Sequence, residues 1–226
     1  MKYTAFLLLF LSHSLFAGTA GSTVPFPGIA EKTAGMEKRP GFFTYYWDAK
    51  AGKIWLEIDK WDTEFLYVES LPAGVGSNDI GLDRGQPGES RVVRFSRIGP
   101  KVLLIQSNYS FRSTSGSPEE TRSVRESFAE SVLWGFDVAA EEGGRTLVDA
   151  GSFFLHDTHG VIRVLKETQQ GDYKLDDSRS VFYLPRTKNF PNNSEIEGTL
   201  TFVGENPECL RNRNRRMGQS FHSVRL

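Results

Sequence analysis

Residues 91–106 read RVVRFSRIGPKVLLIQ, and their pattern decides the fold class. In the first run, Val93, Phe95 and Ile98 form one face, and Arg94 and Arg97 the other. Alternation with a period of two is the mark of a half-buried strand. Ile98-Gly99-Pro100-Lys101 is a turn, because glycine and proline together reverse a chain. Val102–Gln106 is then the return strand. The unit is an antiparallel hairpin.

Similar signals spread outward from it. Gly41–Trp47 is an aromatic strand candidate; Lys53–Ile58 sets Ile54, Leu56 and Ile58 against Trp55 and Glu57; and Phe65–Val68 is a short apolar run. Downstream, Phe136–Ala140 and Thr146–Val148 bracket the turn Glu141-Glu142-Gly143-Gly144, with Ser152–Leu155 extending the second strand. Residues 185–195 read as irregular, and Thr199–Val203 as the last strand. One helix is predicted over 118–134. Ser117 is its N-cap, Pro118 its first residue and Glu120 the partner in a capping box; Val124, Phe128 and Val132 recur every four residues, and Gly135 closes it. A shorter helix is expected over His159–Lys166. The predicted class is α+β: mainly an antiparallel β-sheet, with one well-defined helix packed on it and one or two short helices.

The chain has 226 residues, 38% hydrophobic and 24% charged, a globular balance. Its net charge of -1 hides an uneven distribution. Residues 209–226 carry Arg211, Arg213, Arg215, Arg216 and Arg225 and no acid, so the body is mildly acidic and gives no electrostatic case for nucleic-acid binding. Residues 1–20 read as a signal peptide: Lys2, then an apolar run from Ala5 to Phe16, then small residues that place cleavage near Ala17 or Ala20. That run is shorter than the ~20 residues a membrane helix needs. The expected location is therefore secreted or periplasmic, with no membrane association after cleavage. Cys209 is the only cysteine, which excludes an intramolecular disulfide. The predicted organisation is a signal peptide (1–20), a flexible leader (21–40), a single α+β domain (41–204) and an atypical basic tail (205–226).

Two stretches attract chemical attention. The first is the loop 74–86, GVGSNDIGLDRGQ, far longer than an ordinary hairpin connection. Asn78, Asp79 and Asp83 offer oxygen ligands, and Arg84 is a partner for Asp79, Asp83 or a carboxylate of another domain. The bland alternative is a self-satisfied loop, in which Asn and Asp accept backbone N–H bonds while Gly supplies positive φ. The second is Leu155-His156-Asp157-Thr158-His159-Gly160. His156 and His159 lie three apart, with Asp157 between them, which suits a metal-dependent hydrolase. Here the alternative is that Asp157 caps a helix and the histidines hydrogen-bond locally. No His-Glu-x-x-His and no Gly-x-Ser-x-Gly occurs. No catalytic residue is assigned, and no metal site is assigned in this chain.

Several segments together resemble one family. They are the loop 74–86, RVVRFSRIGPKVLLIQSNYSFR (91–112), ESFAESVLWGFDV (126–138), LVD (147–149), HDTHGV (156–161) and RSVFYLPRTKNFPNNSEIEGTLTF (179–202). From about residue 40 to about 203, the chain is similar to a domain of unknown function near the N-terminus of large exported bacterial proteins of the zinc-dependent metalloprotease type. The resemblance implies a non-catalytic neighbour of a peptidase domain. That missing C-terminal domain would be the partner and would hold the zinc, with a peptide as its substrate. The shift to basic composition after Pro207 departs from the family pattern and reads as a frameshift or early stop in a longer protein. A free-standing peptide- or glycan-binding module outside the cytoplasm is the alternative function.

Overall fold

A computed structural model describes residues 26–74 and 80–204, and the backbone of 220–225. The expected signal peptide, most of the tail, and Asn78 and Asp79 lie outside the described residues.

The 91–106 hairpin is present, and its first strand is longer than expected. β5 (Gln86–Ile98) pairs with β6 (Lys101–Gln106) from Val93↔Gln106 to Ile98↔Lys101. Gly99, at φ 57°, makes the reversal without the clash a Cβ would bring. Val93 and Phe95 are fully buried, but Ile98 is 62% exposed, because an even-numbered position on this strand faces outward.

Around the hairpin the chain lays down β1 (Glu37–Arg39), β2 (Tyr45–Asp48), β3 (Lys53–Ile58) and β4 (Phe65–Ala73) before it, and β7 (Ser131–Glu142) and β8 (Arg145–Asp149) after it. β9 (Tyr173–Leu175), β10 (Val181–Phe182), β11 (Lys188–Phe190), β12 (Asn193–Leu200), β13 (Phe202–Gly204) and β14 (Ser220–Arg225) follow. Twelve strands form one sheet in the order β1-β2-β3-β8-β7-β6-β5-β4-β14-β12-β10, with β11 also on β12; β9 and β13 form a separate pair. Every strand pair is antiparallel.

The sheet curls. β7 pairs with β6 through its first half and with β8 through its second, and its register slips between Val138 and Ala140, where a bulge bends the strand. The far ends of the sheet then approach each other. Phe42 N–H donates to the Phe190 carbonyl (2.7 Å), Phe43 N–H to Ser194 Oγ (3.1 Å), and Asn189 Nδ2 to the carbonyls of Arg39 and Phe43 (2.7 and 2.8 Å). The enclosed core is aromatic: Phe43, Tyr45, Phe65, Tyr67, Phe95, Phe136, Phe153 and Phe154, with Ile54, Leu56, Ile58 and Ile196.

Among the described residues the α-helices are short: α1 (Ile29–Lys32), α2 (Pro118–Ser127), α3 (Gly151–Phe154) and α4 (Val161–Glu167). The predicted 118–134 helix is corrected twice. It ends at Ser127, and it buries none of its residues. Val132 and Leu133 belong to β7, where Val132 pairs with Ile105, and Gly135 pairs with Leu103 rather than capping a helix. The capping box is half formed. Glu120 N–H donates to Ser117 Oγ (3.3 Å), but the Glu120 carboxylate meets Ser115 instead of returning to Ser117. Ser152–Leu155 does not extend β8. Asp149 Oδ1 accepts the Gly151 N–H (2.9 Å), turns the chain into α3, and so sends Phe153 and Phe154 into the core. Residues 188–190 and 193–200 form a hairpin where an irregular segment was expected. The leader is structured from residue 26: Ile29 is 1% exposed, packed with Tyr46, Ala140 and Leu147 on the outer side of the sheet.

Candidate functional site

The two stretches singled out in the sequence meet in a second apolar cluster. Ile80 and Leu82 of the glycine-rich loop pack with Leu71, with Val161 and Leu165 of α4, and with Tyr173, Leu200 and Phe202. The loop therefore covers the helix that follows His159. Its backbone is tied down locally: Gly85 N–H donates to the Leu71 carbonyl (2.7 Å) and Asp83 N–H to Gln86 Oε1 (3.2 Å). Gly74 is required, since a Cβ there would sit 2.8 Å from the Leu82 carbonyl oxygen and 2.9 Å from Arg84 N. Asp83 and Arg84 are exposed and form no ion pair among the described residues.

Asp157 takes the structural role. Its two carboxylate oxygens accept the N–H groups of Val161 and Ile162, each at 2.8 Å. These are donors that the first turn of a helix leaves without intrahelical partners. Gly160, at φ 72°, makes the turn that brings them round. His156 lies half-buried, its ring 4.7 Å from that of Trp134 and 5.9 Å from that of Phe153. Its Nδ1–H donates to the Phe153 carbonyl, which leaves Nε2 with the lone pair in the neutral ring. His159 is half-buried, one residue before Gly160. Among the described residues, no group of three or more His, Cys, Asp or Glu side chains converges in a way that would hold a metal.

What the structure adds on β4 is a buried carboxylate paired with a half-buried guanidinium. Inward positions on β4 run Phe65, Tyr67, Glu69, Leu71, and Glu69 is only 3% exposed. Its Oε1 accepts from Arg91 Nη1 (3.2 Å), while Oε2 has no hydrogen-bond partner among the described residues. Arg91 is held in turn by Glu89 (2.7 Å). The β4–β5 ladder slips between Val68 and Ser70, and Gly88 sits in that irregularity. A Cβ on Gly88 would lie 2.4 Å from Glu69 Cγ, so glycine makes the path for the carboxylate. This polar layer separates the aromatic core from the cluster under the loop.

Electrostatics couple the layer. Burial lowers the His156 pKa below its ordinary value; the Glu69 and Asp157 carboxylates push it back up, and Arg91 pushes it down. Burial, and secondarily the Glu69 charge, raises the Tyr67 phenol. The His156 imidazole, the Glu69 carboxylate, one oxygen of which has no partner among the described residues, and the Arg91 guanidinium thus act on one another electrostatically. Neither Arg91 nor Glu69 stands out in the sequence as a buried charge. The signal was available: a carboxylate at the same parity as Phe65, Tyr67 and Leu71.

Elsewhere, the basic alternation of β5 resolves into ion pairs. Arg94 binds Glu130 through two bonds of 2.8 Å, with Asp62 at 3.7 Å, and Arg97 meets Glu141 and Thr146. Arg94 pulls the Glu130 carboxyl below its usual range. On the same side Glu64 accepts from Ser107 (2.6 Å) and from Tyr109. These contacts pin both ends of an arm, residues 107–130, that carries α2. The arm is mostly exposed. Phe111 and Phe128, 49% and 39% exposed, stack face to face at 3.8 Å, and Tyr109 and Val132 are exposed as well.

No curated protein and no solved structure matches the chain. Two family matches adjoin across the glycine-rich loop. Residues 26–74 match the Domain of unknown function (DUF5118), and residues 85–224 match the Domain of unknown function (DUF5117). The second match runs across residues 205–224, which the sequence reading set apart as a tail. It covers more than half of the chain, and the protein belongs to the family Domain of unknown function (DUF5117).

Proposed function

We propose that this chain is a non-catalytic accessory domain of an exported zinc-metalloprotease-like protein, which packs on the peptidase domain or positions peptide substrate for it. Zinc belongs to the peptidase domain in this reading, and the location is secreted or periplasmic. The observation that carries the reading is the arm at 107–130. Glu64 and Arg94 fix it to the sheet, yet it directs its apolar residues outward. Stacked, half-exposed aromatics within a charged rim are the makings of a docking surface, because their burial against a partner removes apolar area from water without loss of internal packing. The segment-by-segment resemblance supplies the kind of partner. Asp157 caps α4, which is compatible with a non-catalytic role.

The test is co-elution of this chain with the separately produced peptidase domain of a longer relative. Phe111→Ser with Phe128→Ser should weaken the complex by about 2 kcal/mol or more while leaving the melting temperature of the free chain within a degree or two. Unchanged binding by the double variant would remove the arm from the argument. Metal-dependent cleavage of casein by the purified chain alone would sink the non-catalytic reading.

A further inference from the structure

The sheet contains a slot. β4 and β12 do not pair with each other; β14 lies between them, antiparallel to both. Each wall is held independently of the strand that fills the slot. β4 is zipped to β5 from Phe65 to Leu71. β12 is paired with β10 and β11, and Ser194 at its start is hydrogen-bonded to Phe43 and Asn189. The filling strand is less completely engaged. It pairs with β12 through all six of its residues, but with β4 only through Phe221, Ser223, Val224 and Arg225, with a register shift between Phe221 and Ser223.

The walls also carry a pattern. In one cross-strand row, Val224 lies between Glu69 on β4 and Ile196 on β12, both on inward-facing, buried positions. In the next rows Arg225 lies between Val68 and Glu195, and Ser223 between Ser70 and Glu197. Glu197 is 5% exposed, and burial raises its pKa against the pull of Arg186. The walls thus carry three carboxylates, of which Glu69 is paired with Arg91 and Glu197 lies near Arg186, and the segment between them has no acid.

We infer that the groove between β4 and β12 is a strand-acceptor site for an extended, acid-free peptide. In this chain residues 220–225 occupy it as an internal ligand. Binding is by main-chain ladders on both sides, which is how an added strand gains affinity with little dependence on sequence. Two positions set what preference there is: an apolar residue in the Glu69–Ile196 row, and a basic residue next to it, in the Glu195 row. The site is built from strands remote in sequence from the arm at 107–130, and it stands whether or not that arm docks a peptidase domain.

The experiment uses the full chain with Val224→Pro, which removes a ladder N–H and blocks the internal strand. The probe is a fluorescent peptide with the sequence of residues 219–226. It should bind the variant at least about tenfold more tightly than it binds the wild-type chain, whose groove is filled, and an Arg225→Glu peptide should bind at least about tenfold more weakly. Equal binding to both chains, or no binding to a variant that keeps the wild-type near-ultraviolet circular dichroism, overturns the inference. If the variant does not fold, recovery of native dichroism on refolding with the peptide supports the site, and failure to recover overturns it. In the wild-type chain, unprotected amide exchange at 68–70 and 221–225 would also overturn it.

Discussion

Glu69 shows how one residue joins ladder geometry to electrostatics. Its carboxylate reaches Arg91 only because Gly88 opposite has no side chain. Gly88→Ala should therefore cost about 1–3 kcal/mol by overpacking, read as a lower urea midpoint, and Glu69→Ala in the same chain should recover part of the loss. Additive losses in the double variant would mean that the two sites do not touch. His156 gives a pH prediction. Burial depresses its folded-state pKa below the ~6.5 of an unfolded chain. The unfolded state therefore takes up a proton first as pH falls. Stability from this residue is full above about pH 6.5 and is lost as pH drops toward the lower folded value. His156→Phe should flatten the melting temperature between pH 7 and about 5. An unchanged slope would assign the pH dependence to other groups. The capping role of Asp157 was legible in the sequence, because an Asp three or four residues before an apolar helical run suits that task. The burial of Glu69 was legible from its parity with Phe65, Tyr67 and Leu71, but its pairing with Arg91 was not, since that needs the register of the partner strand.

At the scale of elements, local signals succeeded where turn chemistry and pattern agreed. The β5–β6 hairpin has both Gly99-Pro100 and alternation, and β7–β8 has Gly143-Gly144 at φ 56° and 79°. The 118–134 helix misled because Val124, Phe128 and Val132 fall four apart by coincidence. Pairing of Ser131 and Val132 with β6 outweighs helical preference there, since each added ladder bond completes a strand already templated by its neighbour. The capped start was legible, but the end was not. α4 is the helix whose stability most depends on one residue. It has seven residues, too few to persist by propensity. Asp157→Ala leaves two N–H groups without their acceptor and should cost about 2 kcal/mol in urea unfolding; Asp157→Asn, which keeps one oxygen, should cost about half as much. An effect of Asp157→Ala that appears only when zinc is added would restore the metal reading of His156, Asp157 and His159.

At the scale of the whole molecule, two family matches share one sheet. The boundary between them falls at the glycine-rich loop, yet β4 on one side of it pairs with β5 on the other. β3 and β4 are consecutive in the chain, but four strands of the second match, β8-β7-β6-β5, stand between them in the sheet. Ile54, Leu56, Ile58, Phe65 and Tyr67 from the first match are buried in the same core as Val93, Phe95, Val102, Leu104, Phe136 and Val148 from the second. A segment comprising residues 26–74 alone would keep β1-β2-β3 as a meander without β8 to cover its open edge, and would leave β4 with no partner. Its aromatic face would be solvated, and a chain shorter than about 60 residues buries only marginally enough apolar surface to offset its conformational entropy. We predict that the isolated segment gives a collapsed amide spectrum with unfolded far-ultraviolet dichroism. Coexpressed with residues 80–226, it should copurify as a complex with the far-ultraviolet dichroism of the intact chain, since the break falls outside every described strand. A dispersed spectrum from 26–74 by itself would show that the family boundary is also a folding boundary, and that the shared sheet joins two units each able to form without the other.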